Sequence, residues 1–102
     1  MSRRKLQPVS PGEMLREEFL RPLELSANQV ARALGVPANR ITGILNNTRG
    51  ITADSALRLA RYFDTTPEFW MNLQSRYDLE MAKDRLAEKV KQQVRPLHRA
   101  AA

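Results

Sequence analysis

Three arginines, Arg32, Arg40 and Arg49, stand in a stretch from Ser26 to Ala53 that holds no aspartate or glutamate. Around them are short hydrogen-bonding side chains: Asn28, Gln29, Asn39, Thr42, Asn46, Asn47 and Thr48. Guanidinium and carboxamide groups perform no covalent chemistry. They are suited to paired hydrogen bonding, arginine to guanine edges and asparagine to adenine edges, while cations and hydroxyls hold phosphates. Such a set must be presented on a scaffold that fits a major groove, and an α-helix does.

Other chemistries lack their residues. The chain has no cysteine, which excludes disulfides, thiolate zinc sites and cysteine nucleophiles. Its single histidine, His98, lies in the C-terminal tail without a companion for metal or proton transfer. Glu17-Glu18 is the only adjacent carboxylate pair, and neighbours in a helix do not face each other. No enzymatic activity, cofactor, metal or small-molecule substrate is expected. The longest apolar runs fall well short of the ~20 residues a membrane span needs, so no membrane partner is expected. The basic start MSRRKLQPVSPGE has no apolar stretch behind it and is not a secretory signal. A soluble, cytoplasmic protein is the expectation.

Size and charge agree with this. The 102 residues suit one domain, with so little core to spare that dimerisation would help. The net charge of +6 points to an anionic partner. Residues 1–66 carry ten Lys and Arg against six acids, and residues 67–102 carry seven against five. The excess therefore lies mostly where the acid-free stretch lies.

The elements that position these residues are helices. Residues 1–9 form a tail whose feature is the basic arm Arg3-Arg4-Lys5. Ser10-Pro11-Gly12-Glu13 is a helix start with a cap, a first-turn proline and a capping-box glutamate. Met14, Leu15 and Phe19 follow on one face, and Pro22 is expected to stop this helix by disfavouring helical geometry at Arg21. A second box, Ser26-x-x-Gln29, opens a helix to about Leu34 with Val30, Ala31 and Leu34 inward. Gly35 then takes the left-handed turn. Pro37 starts a third helix to about Asn46, with Ile41, Ile44 and Leu45 apolar. Two short helices about a glycine-containing turn make a helix-turn-helix.

Gly43 costs roughly 1 kcal/mol relative to alanine inside this third helix, so either close approach to DNA or tight packing must offset it. Asn47-Thr48-Arg49-Gly50 is a loop, with Arg49 placed for phosphate. Thr52 caps a fourth helix with Asp54 in its first turn. Its expected apolar stripe is Ala53, Ala56, Leu57, Ala60 and Phe63, with Arg58 and Arg61 solvating the outer face. Thr66-Pro67-Glu68 starts a fifth helix, in which Phe69, Trp70 and Leu73 are core or dimer residues. It either breaks near Arg76 or runs to about Gln93, carrying the stripe Leu79, Ala82, Leu86, Val90 and Val94. Unbroken, it spans roughly 40 Å, and a projecting stripe packs on another chain.

The organisation expected is thus a tail over 1–9, a helix-turn-helix core over 10–66, a C-terminal helix over 67–94 that completes the core and dimerises, and a tail over 95–102. The fold class is all-α, five helices with the last extended. Dimer contacts are expected from Trp70, Leu73, Leu79, Leu86 and Val90.

The segments PGEMLREEFL (11–20), LS (25–26), VARALGV (30–36), RI (40–41), RGITAD (49–54), LRLARYF (57–63) and PEFWMNLQ (67–74) closely resemble HigA antitoxins, within the phage-repressor-like (XRE) helix-turn-helix class. The resemblance covers about residues 11–80. It implies direct binding and blocking of a HigB-type toxin, an mRNA-cleaving ribonuclease acting at the ribosome. It also implies binding to double-stranded operator DNA as a homodimer that represses its own operon. By position, Ala38, Asn39, Arg40, Thr42 and Gly43 would face bases, and Ser26, Gln29, Asn46, Asn47, Thr48 and Arg49 would face phosphates. Ala38 and Gly43 stand where long polar side chains sit in glutamine-reading repressors, which leaves direct readout to Asn39 and Arg40. Two other readings are a phage-type or chromosomal regulator without a toxin, and an interaction domain that has lost DNA binding.

Overall fold

The computed structural model describes residues 8–97. The basic arm Arg3-Arg4-Lys5 and His98 lie outside the described residues. Among these the chain is five helices without a strand. Helix α1 covers residues 11–23, α2 is Ala27–Leu34, α3 is Ala38–Leu45, α4 is Ala53–Phe63 and α5 is Pro67–Gln93. No helix among the described residues is long and apolar enough to cross a membrane.

The cap residues read from the sequence make the bonds expected of them. Ser10, Ser26, Thr52 and Thr66 each accept a hydrogen bond from the backbone N–H three residues on. At Ser26 the box is complete, since Gln29 Oε1 accepts from the Ser26 N–H at 2.7 Å. Helix α2 ends on Gly35 at φ 73°, with Gly35 N–H bonded to Arg32 O and Val36 N–H to Ala31 O. This paired ending satisfies two of the carbonyls a helix leaves orphaned.

Helix α1 does not stop before Pro22. Arg21 keeps helical angles (φ −64°, ψ −51°) and the helix closes at Glu24, which takes the left-handed conformation at φ 56°. The reason is the turn before it. Pro11–Met14 is α-helical, but Leu15–Leu20 is π-helical, and the Arg21 N–H reaches back five residues to Arg16 O. A wider turn relieves the clash between the proline ring and the carbonyl behind it, so the chain turns later than a proline alone would dictate.

The core draws on every helix: Leu15 and Leu20 from α1, Val30, Ala31 and Leu34 from α2, Ile41 and Ile44 from α3, Ile51 from the loop, Ala56, Leu59 and Ala60 from α4, and Trp70 from α5. In α4 the inward residue is Leu59, wholly buried, while Leu57 is 59% exposed and Ala53 is exposed. Both leucines fit a helical period. The face that wins is the one turned to the aromatic cluster, where Phe19 lies 4.8 Å from Phe63 and 5.2 Å from Trp70 between ring centroids.

Trp70 is 0% exposed, and its Nε1–H donates to Thr65 Oγ1 at 2.8 Å. It belongs inside a single protomer and leaves the set of candidate dimer contacts. Leu73 is half-buried against the same core.

Helix α5 is unbroken over 27 residues. The Cα radius of gyration, 17.8 Å, exceeds the ~13 Å of a compact chain of this length because the second half of α5 stands clear of the body. From its middle to the cap residue after it, Leu79, Leu86, Val90 and Val94 are 41–61% exposed.

Candidate nucleic-acid interface

Helix α3 is fixed at its C-terminal end by residues from α1. Gly12 of α1 lies so close to its C-terminus that a Cβ there would stand 2.2 Å from Ile44 O and 2.8 Å from Leu45 O. Arg16, one turn on, donates from Nη2 to Leu45 O at 3.1 Å, satisfying a carbonyl the helix leaves open. Beyond α3 the loop folds back on it. Asn47 is left-handed at φ 61°, and Gly43 O accepts from the Thr48 N–H, the Arg49 N–H and the Thr48 hydroxyl. A Cβ on Gly43 would lie 3.0 Å from Arg49 Cβ. Packing of this loop is what offsets a glycine inside the helix.

The loop is then tied to α5. Gln74 Oε1 accepts from the Ile51 N–H at 2.6 Å, and Gln74 Nε2 donates to Asp78 Oδ1 at 2.9 Å. Gly50 passes with its would-be Cβ 3.1 Å from the Gln74 carboxamide. A cleft of about 290 Å³ lies here, lined by Arg40, Arg49, Thr52 and Gln74 among others.

Held in this way, α3 turns Ile41 and Ile44 inward and leaves Ala38, Asn39 and Thr42 exposed. Among the described residues no side-chain hydrogen bond holds Asn39 or Thr42, so their polar atoms are available. Asn46, Asn47, Thr48 and Arg49 are exposed beside them, and Arg49 makes no ion pair among the described residues. Ser26 and Gln29 are exposed at the start of α2, where each uses one atom on the other. Gly43 is half-buried against the loop, so it shapes the interface rather than presenting a group.

Arg40 differs from the others. Its Nη1 bonds Asp54 Oδ2 at 2.5 Å, and only 27% of its side chain is exposed. Arg58, expected on an outer face, joins the same oxygen through Nε at 2.9 Å and donates from Nη1 to Leu34 O at 2.8 Å. The arrangement runs from the end of α2 through Arg58 and Asp54 to Arg40 on α3. Hydrogen bonds from Arg58 and then Arg40 hold the Asp54 carboxyl below the ordinary carboxylate range. A group lowered in the folded state stabilises fully above its unfolded pKa, and that contribution is lost as pH falls through the lowered value.

Five residues that organise this surface were not singled out as such by sequence: Gly12, Arg16, Asp54, Arg58 and Gln74. Asp54 carried a signal, being the only acid between Ser26 and Phe63, among five arginines, with Arg58 one helical turn away. Gly12 carried a weaker one, a glycine inside a helix start. Gln74 carried none, because its partner lies 23 residues back in a loop.

Exposed and unpaired, Arg49 is the simplest case for a phosphate contact. Arg49→Ala should weaken binding to all DNA sequences alike and make the salt dependence shallower by about one unit in log–log slope. A titration of duplex affinity against salt checks this, and an unchanged slope would count against the assignment.

Known proteins are similar in both sequence and fold. A helix-turn-helix family profile matches residues 15–70. The antitoxin HigA-1 of Vibrio cholerae is 40% identical over 91 residues, 89% of this chain and 86% of that protein. A solved HigA-family addiction module antidote protein from Coxiella burnetii superposes with a TM-score of 0.84 at 51% identity, covering 90% of this chain and all of the other. The Pseudomonas aeruginosa antitoxin HigA, solved with the higBA promoter, gives a TM-score of 0.85 at 46% identity over 89% of this chain and 99% of that one. The chain therefore belongs to the XRE-type helix-turn-helix family and, within it, to the HigA antitoxins.

Proposed function

We propose that the protein is a cytoplasmic antitoxin that represses its own operon as a DNA-binding dimer and neutralises a HigB-type mRNA-cleaving toxin by direct binding. It acts by binding, not by catalysis. The observation that carries the DNA half is the outer face of α3. Asn39 and Thr42 stand exposed on it, Arg40 and Arg49 flank it, and the Asp54 carboxylate beside it is matched by two arginines. The relative seen with its promoter uses a chain of the same fold.

In this mechanism α3 enters the major groove. Asn39 and Arg40 meet base edges with Thr42 in support, while Ala38 leaves room for close approach. Ser26, Gln29 and residues 46–49 hold phosphates on either side. A dimer places two such helices in successive major grooves, about 34–36 Å apart, on a near-palindromic site. The dimer contact we assign to the projecting half of α5, through Leu79, Leu86 and Val90, with Leu73 at its base. An isolated helical segment of that length is marginal in water, and its exposed stripe gains stability by packing on a second copy. The family's toxin partner implies a further binding surface.

Arg40→Ala should cost about 1–3 kcal/mol on the operator and less on random duplex, with discrimination lost at one base position. Equal losses on both duplexes would reduce Arg40 to a phosphate contact. For the toxin half, the product of the neighbouring short reading frame should co-purify with this protein, and co-expression should relieve its growth arrest. If the neighbour neither binds nor arrests growth, the protein is a regulator alone.

A further inference from the structure

We propose that Asp54 is a specificity-determining positioning residue, holding Arg40 at the angle from which its guanidinium reads a base. The inference rests on the reading of α3 as the DNA-contacting helix and extends it to a residue outside that helix. Asp54 is the only acid in sequence between Ser26 and Phe63, and it pairs with Arg40 at the edge of the α3 face. A carboxylate beside phosphate weakens affinity by repulsion, so for affinity alone this position favours any neutral residue.

Its bonds point to a different role. Asp54 Oδ2 accepts from Arg58 Nε at 2.9 Å, and Arg58 is itself fixed by donating to Leu34 O at 2.8 Å. The carboxylate is thereby held from behind by a side chain anchored to backbone. From that position it takes one Arg40 nitrogen, Nη1, and among the described residues the guanidinium's remaining donors are unused. A planar fork held at one corner is oriented, not consumed. An unheld arginine samples many rotamers and bonds phosphate and base alike, whereas a held one presents its fork in one plane. Asp54 thus trades non-specific affinity for discrimination.

The trade has a signature that a merely structural role lacks. The test compares wild type, Asp54→Asn, Arg40→Ala and the double variant on two labelled duplexes, the region upstream of the protein's own reading frame and a scrambled sequence of equal length. Circular dichroism melts run alongside. Asp54→Asn removes one negative charge, so affinity for scrambled DNA should rise while the ratio of specific to scrambled affinity falls about tenfold, within the span of one bidentate base contact. Arg40→Ala should lower the ratio by a similar factor, and the double variant should fall no further. Arg58→Lys, which keeps the charge but loses the fork, should also lower the ratio. If Asp54→Asn lowers both affinities together with the melting temperature and leaves the ratio unchanged, Asp54 is only a structural ion pair. If Arg40→Ala lowers the ratio but neither Asp54→Asn nor Arg58→Lys does, the positioning role alone falls. If Arg40→Ala leaves the ratio unchanged, base reading by Arg40 falls and the positioning role falls with it.

Discussion

Trp70→Ala is expected to cost about 3–5 kcal/mol of folding stability, the range for deleting a large aromatic from a packed interior. Small domains hold only about 5–15 kcal/mol in total, so the variant sits near the edge of folding. Several losses combine. Phe19 and Phe69, with centroids 5.2 Å and 5.0 Å away, lose ring contacts, and the Thr65 hydroxyl loses its donor. The cavity opens between Phe19 of α1 and Phe69 of α5, whose rings pack on the indole. Urea denaturation followed by circular dichroism measures the effect, since Trp70 is the sole tryptophan and its fluorescence goes with it. A loss under about 1 kcal/mol would mean the site relaxes freely, contrary to the packing described.

Gly12→Ala reverses the usual sign of its substitution. In an ordinary helix interior, replacing glycine by alanine gains up to about 1 kcal/mol. Here the new methyl meets two backbone carbonyls, Ile44 O at 2.2 Å and Leu45 O at 2.8 Å, which cannot swing aside as a side chain can. Helix α1 must lift from the end of α3, so overpacking should cost about 1–3 kcal/mol or more. The displacement also pulls Arg16 from Leu45 O and loosens the C-terminal end of the reading helix. Operator affinity should therefore fall even in the fraction that stays folded. A stabilised Gly12→Ala protein would show that the close approach of α1 and α3 is wrong.

Both effects come from contacts between helices that sequence periodicity cannot see. The helices themselves were readable because each start carries its own chemistry: Ser10, Ser26, Thr52 and Thr66 announce caps, and Gly35 announces the turn that makes α2 and α3 a unit. Local signals failed where a distant partner decided the outcome. Pro22 reads as a stop, yet a π turn upstream lets the helix run on to Leu23. Leu57 and Leu59 are equally apolar, and only the position of the aromatic cluster selects Leu59. Trp70 reads as core or dimer surface, and full burial places it in the core.

The interface divides the same way. Asn39, Thr42 and Arg49 could be read as exposed polar groups from their place in the helical period and the loop, and they are exposed. Arg40 could be placed on α3 but not in its bond to Asp54, which lies just beyond the acid-free stretch. Gly43 was readable as a glycine needing a reason, and the reason is the loop carrying Arg49. Groups that touch a ligand are legible from type and spacing. Groups that hold them still, such as Arg16, Asp54, Arg58 and Gln74, are legible only from the fold.

The central claim is that α3 of two copies reads adjacent turns of the protein's own control region. Hydroxyl-radical footprinting of the DNA upstream of its reading frame tests it directly. The account predicts two protected patches on one face of the duplex, centred about one helical turn apart and symmetric about a point between them. Protection no stronger than on unrelated DNA, or a single patch with no symmetric mate, would contradict it.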